Sequence, residues 1–82
     1  MKQYVVYLHQ DAGTDIGLSF PDFPGCIATC ENLLDVGRVG KEVLEFHIDG
    51  MRRSGLEIPE PSGLEMEDVA RESVLAVAFV KI

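Results

Sequence analysis

The apolar positions of this chain change period along its length, and those changes mark out a series of strands and one long helix. Tyr4-Val-Val-Tyr-Leu8 is a run of β-branched and aromatic residues whose apolar side chains fall on both faces, the pattern of an inner strand. Gln10 to Asp15, with Gly13 among polar turn formers, joins it as a hairpin to Ile16-Gly-Leu-Ser-Phe20, where Ile16, Leu18 and Phe20 alternate with Gly17 and Ser19. Cys26-Ile-Ala-Thr-Cys30 is a third extended stretch, short enough for a sheet edge. Beyond it, Leu33, Val36, Gly40, Val43, Leu44, His47, Ile48 and Met51 recur at spacings of three and four, while Arg38, Lys41, Glu42, Glu45, Asp49 and Arg52 fall between them. That is an amphipathic helix with its stripe on the sheet.

The ends of the helix are signalled too. Asn32 suits an N-cap, with Asp35 near the positive end of the dipole, and Arg52, Arg53 and Gly55 make a cationic last turn with a glycine stop. Gly37 and Gly40 each cost a helix interior about 1 kcal/mol relative to alanine. Gly40, on the inward stripe, predicts close approach to a strand, whereas Gly37 has no evident reason in the sequence. Ile58-Pro-Glu-Pro-Ser-Gly63 runs extended along the surface, Leu64 to Ala70 forms one irregular turn, and Val74-Leu-Ala-Val-Ala-Phe-Val80 closes the chain as a strand apolar on both faces.

The order is β-β-β-α-β, an α+β fold. The right-handed crossover rule places the last strand parallel to the first, giving a four-stranded sheet of order 3-2-1-4 with one long helix on one face. The other face is then open although the two central strands are apolar there. Self-association, at least to a dimer, is the expected remedy.

Between the second and third strands lies Phe20-Pro-Asp-Phe-Pro-Gly-Cys26. Pro21 and Pro24 fix φ near −65° and bias Phe20 and Phe23 towards extended backbone, so this is a stiff connector. It is either a plain hairpin corner or a recognition surface that holds Asp22 and Phe23 in a narrow range of poses. With Ala28-Thr29 after it, Glu45-Phe-His-Ile-Asp-Gly-Met51 near the helix end and Ile58-Pro-Glu-Pro-Ser62 beyond, the corner resembles the HicB-like antitoxins of bacterial toxin-antitoxin pairs. The resemblance spans nearly the whole chain. It implies a partial ribonuclease-H-like fold and a partner that is a small basic RNA-cleaving toxin, HicA-like, acting through a histidine. Many members continue into a helix-turn-helix or ribbon-helix-helix segment that binds the operator. The 82 residues read as a single HicB-like domain with no such C-terminal DNA-binding segment.

Composition narrows the function. No apolar run approaches the roughly 18 residues a membrane span needs, and no signal peptide precedes the first strand, so a cytoplasmic location is expected. Fourteen acidic residues against seven basic ones leave a net charge of −7, which repels phosphate backbones and favours a basic partner over direct nucleic-acid binding. Cys26 and Cys30 fall on one face of a strand about 13 Å apart, beyond disulfide reach, and read as free thiols. No metal or cofactor is expected, because His9 and His47 are isolated and no phosphate-binding glycine loop occurs.

A ribonuclease-H-like fold raises the question of a two-metal nuclease, but the strands from Tyr4 to Leu8 and from Val74 to Lys81 contain no acid. His47 sits on the apolar stripe and reads as a buried, hydrogen-bonded core residue. Ser19 and Ser73 have no His and Asp pattern near them in sequence to activate a nucleophile. The chain therefore reads as no enzyme. Two functions stand: an antitoxin-like binding protein that caps a basic toxin, with Asp15, Asp22 and Phe23 as the candidate contacts and Phe23 as apolar anchor; or an orphan structural or sensing domain that only self-associates.

Overall fold

The computed structural model describes residues 2–10, 15–62 and 76–82. Four strands form one antiparallel sheet: β1 (Gln3–Gln10), β2 (Ile16–Ser19), β3 (Ile27–Cys30) and β4 (Ala76–Lys81), in the order β3-β2-β1-β4. A single turn of 3-10 helix (Leu33–Asp35) leads into the helix α1 (Val36–Arg53). The architecture and strand order expected from the sequence are those of the molecule. The hairpin turn expected at Gln10–Asp15, the irregular turn at 64–70 and the start of the last strand at Val74 lie wholly or partly outside the described residues.

One topological expectation is corrected. β4 runs antiparallel to β1, with Tyr4 opposite Val80 and Leu8 opposite Ala76. The crossover rule governs strands joined directly through a helix, but here a long link separates α1 from β4. At Pro59 and Glu60 the chain still passes the start of β1, where Tyr4 Oη donates to the Pro59 carbonyl and Lys2 Nζ to Glu60. It enters β4 opposite Leu8, near the other end of β1. Entry at that end, and not at the end where Tyr4 lies, sets β4 antiparallel to β1.

Strand register decides which side chains meet α1. Tyr4, Val6 and Leu8 on β1, Ile16 and Leu18 on β2 and Val80 on β4 point to the helix and join Phe20, Cys26, Cys30, Val36, Leu44 and Ile48 in the core. Gly40 lies at the closest approach, since a β-carbon there would come to 3.1 Å from Val80 Cγ2, tighter than side-chain packing allows without displacement. Gly37 has nothing near it, and no packing reason for that glycine exists in the structure.

Both ends of the helical segment are built as expected. Asn32 Oδ1 accepts from the Leu34 amide at 3.0 Å, although it caps the 3-10 turn and not α1 itself. At the other end Gly55 adopts φ 75°, the Gly55 amide donates to the Arg52 carbonyl and the Leu56 amide to Met51. That pair of bonds satisfies two terminal carbonyls and needs a left-handed residue between them.

The second face of the sheet is less bare than the sequence suggests. Val5 and Tyr7 point away from α1 yet are buried. Among the described residues, the large apolar side chains left open on this face are peripheral: Phe79 on the edge strand β4, 48 % exposed, and Ile27 on the edge strand β3, 72 % exposed. β4 itself is mostly open, with only Val80 buried, because an edge position uncovers side chains that an inner strand would bury.

Candidate partner-binding surface

The corner between β2 and β3 consists of two successive tight turns. The Phe23 amide donates to the Phe20 carbonyl and the Cys26 amide to the Phe23 carbonyl, each at 2.9 Å, while the Phe20 amide closes the ladder on Cys26 at 3.4 Å. Gly25, at φ 87°, takes a position that a side chain would strain. The prolines thus hold a shape that hydrogen bonds complete.

Within this corner the three candidate contacts part company. Phe23 is turned inwards and is 2 % exposed. Its ring meets Tyr4 edge-on at 4.9 Å and His47 edge-on at 5.8 Å. In the chain alone the expected apolar anchor is thus turned away from solvent: Pro21 and Pro24 stay exposed at the rim while the ring between them plugs the corner, because an apolar ring is better placed under a turn than on it. Asp22 is half-buried, accepting from the Ser62 amide at 3.2 Å and from the Ser62 hydroxyl. Asp15 is exposed at the foot of β2, about one strand length from the corner, so the structure does not bring it together with Asp22.

Sequence reasoning missed the partner of Asp22. Ser62 is forty positions away, and the available signal was the stiffness of Ile58-Pro-Glu-Pro61, which keeps that segment extended beside the corner. The segment is tied at three points: to Tyr4 through Pro59, to Lys2 through Glu60 at 2.7 Å and to Asp22 through Ser62. Beneath it a groove of about 480 Å³ is lined by Tyr4, Ile48, Ile58 and Ile82, with Glu45, Asp49, Lys2 and Arg52 around it.

A cross-strand pair was missed as well. His9 Nε2 lies 2.9 Å from Ser19 Oγ on the sheet face away from α1, brought together by the β1 and β2 register that sets Tyr7 opposite Ser19 and His9 opposite Gly17. The expectation that Ser19 has no histidine near it holds along the chain but not across the sheet. Among the described residues the pair has no carboxylate as third member, and none of them forms a group of three or more His, Cys, Asp or Glu able to hold a metal ion. His47 is half-buried against Phe23, with an aromatic edge contact in place of the hydrogen-bonded setting expected. Both cysteines are buried free thiols, and burial pushes the Cys26 thiol above its ordinary value.

Charge is spread unevenly between paired and open sites. Arg38 reaches Asp35 and Glu42 at 3.5 and 3.7 Å, and Arg53 reaches Asp49 at 3.1 Å. Such exposed pairs stabilise little. Asp15, Glu31, Glu45 and Glu57 carry no ion pair among the described residues, so the acid surplus is open to solvent and to a partner. Large apolar side chains also stand in water, notably Leu34, 95 % exposed at the helix entry, and Phe46, 84 % exposed on the outer side of α1.

Comparison with known proteins gives one family match, two similar folds and one partial relative. The family described as "HicB_like antitoxin of bacterial toxin-antitoxin system" matches residues 4–82. The fold is similar to that of the N-terminal domain of the Burkholderia pseudomallei antitoxin HicB, at a TM-score of 0.78, 20% identity and coverage of 98% of this chain and 96% of that one. It is also similar to a chain of a HicA3 and HicB3 toxin-antitoxin complex, at a TM-score of 0.73, 20% identity and coverage of 96% and 95%. An uncharacterized 14.9 kDa protein from the rep-hol intergenic region of Haemophilus phage HP1 is 35% identical over 48 residues, which are 58% of this chain and 36% of that protein. The chain thus spans about a third of the length of that curated relative.

Proposed function

We propose that this chain, which belongs to the HicB-like antitoxin family of bacterial toxin-antitoxin systems, neutralises a small basic RNA-cleaving toxin of the HicA kind by binding it in the cytoplasm and covering its RNA-binding surface. The match of the family over residues 4–82 carries this reading. The charge supports it: a net −7, with several acids unpaired among the described residues, steers a cationic protein to the surface and accelerates encounter. A stoichiometric cap has no need of catalytic groups, and a net negative surface disfavours contact between this domain and the nucleic acid itself.

Asp22 and Asp15 are the proposed charged contacts. Asp22 stands on a corner whose shape is fixed by two prolines, two turns and the Phe23 plug, so it meets a partner with little ordering left to do. Phe23 acts from below, by holding that shape. Asp15 supplies a second, separate negative point.

The test is titration of RNA cleavage by the small basic, histidine-containing protein encoded beside this chain, with wild type, Asp22→Asn and Asp15→Asn. Wild type should abolish cleavage at stoichiometry, and Asp22→Asn should need more protein to do so. Raising salt from about 50 to 500 mM should slow association more than it speeds dissociation. Cleavage that persists under an excess of wild type refutes the antitoxin reading for that pair, and inhibition unaltered in both variants moves the contact off these aspartates.

A further inference from the structure

The outer side of α1 carries a feature that the isolated fold does not use. Phe46 stands exposed in the middle of the helix, and one turn further on a β-carbon at Gly50 would meet nothing within 4 Å beyond the adjoining residues and the helix backbone itself. Neither choice favours the free chain. An exposed aromatic ring leaves apolar area in water, and glycine is the weakest helix former after proline. Nor does intramolecular packing call for the glycine, as it does at Gly40.

Glu42, Phe46 and Gly50 lie on one row of residues spaced by four, the kind of ridge that packs against the same ridge of a second helix. Val39 and Val43 flank it, partly buried against the core. The row thus presents a protruding ring and, one turn away, a gap. Two such rows placed antiparallel fill each other: each ring enters the gap of the other helix.

From this we propose that two copies of the chain pair through α1, packed antiparallel about a two-fold axis at the level of Ile48, with Phe46 of each over the partner's Gly50. On that axis Arg53 comes level with the partner's Val43 and within one residue of the partner's Glu42, so the two-fold generates two opposite-charge pairs. Asp49 holds Arg53 on the outer face at 3.1 Å. The charges on this side of the helix are of both signs, with Arg38 and Arg53 among Asp35, Glu42 and Asp49. Mixed charge suits a second copy, whereas a strongly basic partner would meet both arginines. The missing β-carbon at Gly50 allows the axes to approach closely around the ring, and a closed two-fold pair uses both apolar positions at once.

Sedimentation velocity of the protein alone, over roughly 1 to 500 µM, reads the pairing directly and covers the affinities of contacts at or below standard interface size. Wild type should shift from monomer to dimer within this range. Phe46→Ser should weaken the dimer about 30-fold or more, the loss expected of a central aromatic anchor, with an unchanged far-UV spectrum. Gly50→Leu should weaken it comparably while melting no lower than wild type, because leucine improves the helix but fills the gap. Wild type that stays monomeric throughout overturns the proposal, as does a dimer that both variants leave intact. If wild type is monomeric and Phe46→Ser instead loses inhibition of the toxin, the face belongs to that partner and self-pairing is refuted. No toxin is present in the sedimentation cells, so the result is independent of the function proposed above.

Discussion

Replacing Phe23 by alanine distinguishes a core plug from a surface anchor by the size of one number. The ring is 2 % exposed and sits edge-on to Tyr4 at 4.9 Å and to His47 at 5.8 Å. Removing a buried phenylalanine costs about 3 to 5 kcal/mol through lost transfer energy and the cavity left behind. Edge contacts of this kind contribute roughly 0.5 to 1.5 kcal/mol each of that loss. A domain of 82 residues has a total stability on the order of 4 to 12 kcal/mol at the usual ~0.05 to 0.15 kcal/mol per residue. Phe23→Ala should therefore be unfolded in a sizeable fraction or melt some 15 °C or more lower, at roughly 4 to 8 °C per kcal/mol for a chain of this size. Phe23→Leu, which keeps most of the volume, should lose about 1 to 2 kcal/mol and remain folded. Urea and thermal melts followed by far-UV circular dichroism give both values. A loss below about 1 kcal/mol for Phe23→Ala, together with loss of toxin binding, would refute the inward placement of the ring and return Phe23 to the binding surface.

Two further tests separate glycines that look alike in the sequence and titrate a buried thiol. Gly37→Ala should stabilise the protein by about 0.5 to 1 kcal/mol through helix propensity, whereas Gly40→Ala should destabilise it, because its β-carbon would meet Val80 Cγ2 at 3.1 Å; equal effects in urea melts would show that Gly40 does not mark a close approach. Burial raises the Cys26 thiol above its ordinary 9.0, so folding favours the protonated form: that contribution is complete below pH ~9 and is lost as pH rises from there towards the folded value. Stability should fall with pH in that window and fall less steeply in Cys26→Ala, and identical pH slopes would show that the thiol does not contribute. The Lys2–Glu60 pair weakens only at still higher pH, as Lys2 is raised from 10.5.

Local pattern and long-range contact were not equally legible in the sequence. Strands, helix and caps follow from apolar period, Asn32, Gly55 and the proline corner, because each is decided within a few residues, whereas the order β3-β2-β1-β4 rests on long-range pairing. The direction of β4 was not legible, since it depends on where the link after Ser62 takes the chain and not on the composition of the strand. At the candidate site the residue types were visible and their orientations were not. Phe23 and Asp22 are neighbours on one turn, yet the ring points into the core and the carboxylate to Ser62. His9 and Ser19 meet only through the β1 and β2 register. The exposure of Phe46 was not legible from its motif, because reading the helix for its inward stripe leaves the outward residues as background. An aromatic residue between Glu45 and His47, followed one turn on by a glycine, was the available signal.

The Asp22 tie gives the corner a second consequence. Asp22 accepts two hydrogen bonds from Ser62, and the same segment is bound to Tyr4 of β1 through Pro59 and to Lys2, just before β1, through Glu60. A partner cation that approaches Asp22 therefore has two ways to engage it. It can share the carboxylate, using lone pairs that Ser62 leaves free, or it can displace Ser62 and loosen the segment from the corner. The other two ties favour sharing, since they hold the segment in place when the serine bonds are broken, so displacement would gain little freedom for the chain to offset the lost bonds. On this account Ser62→Ala, which removes the hydroxyl bond and leaves the amide, makes more of the carboxylate available without moving it. It should then strengthen association with a basic partner slightly while lowering the stability of the free protein by about 0.5 to 1.5 kcal/mol, as titration calorimetry and urea melts would record. Weaker binding in that variant would mean that the serine positions Asp22 for the partner, and that the corner depends on its strap for recognition as well as for shape.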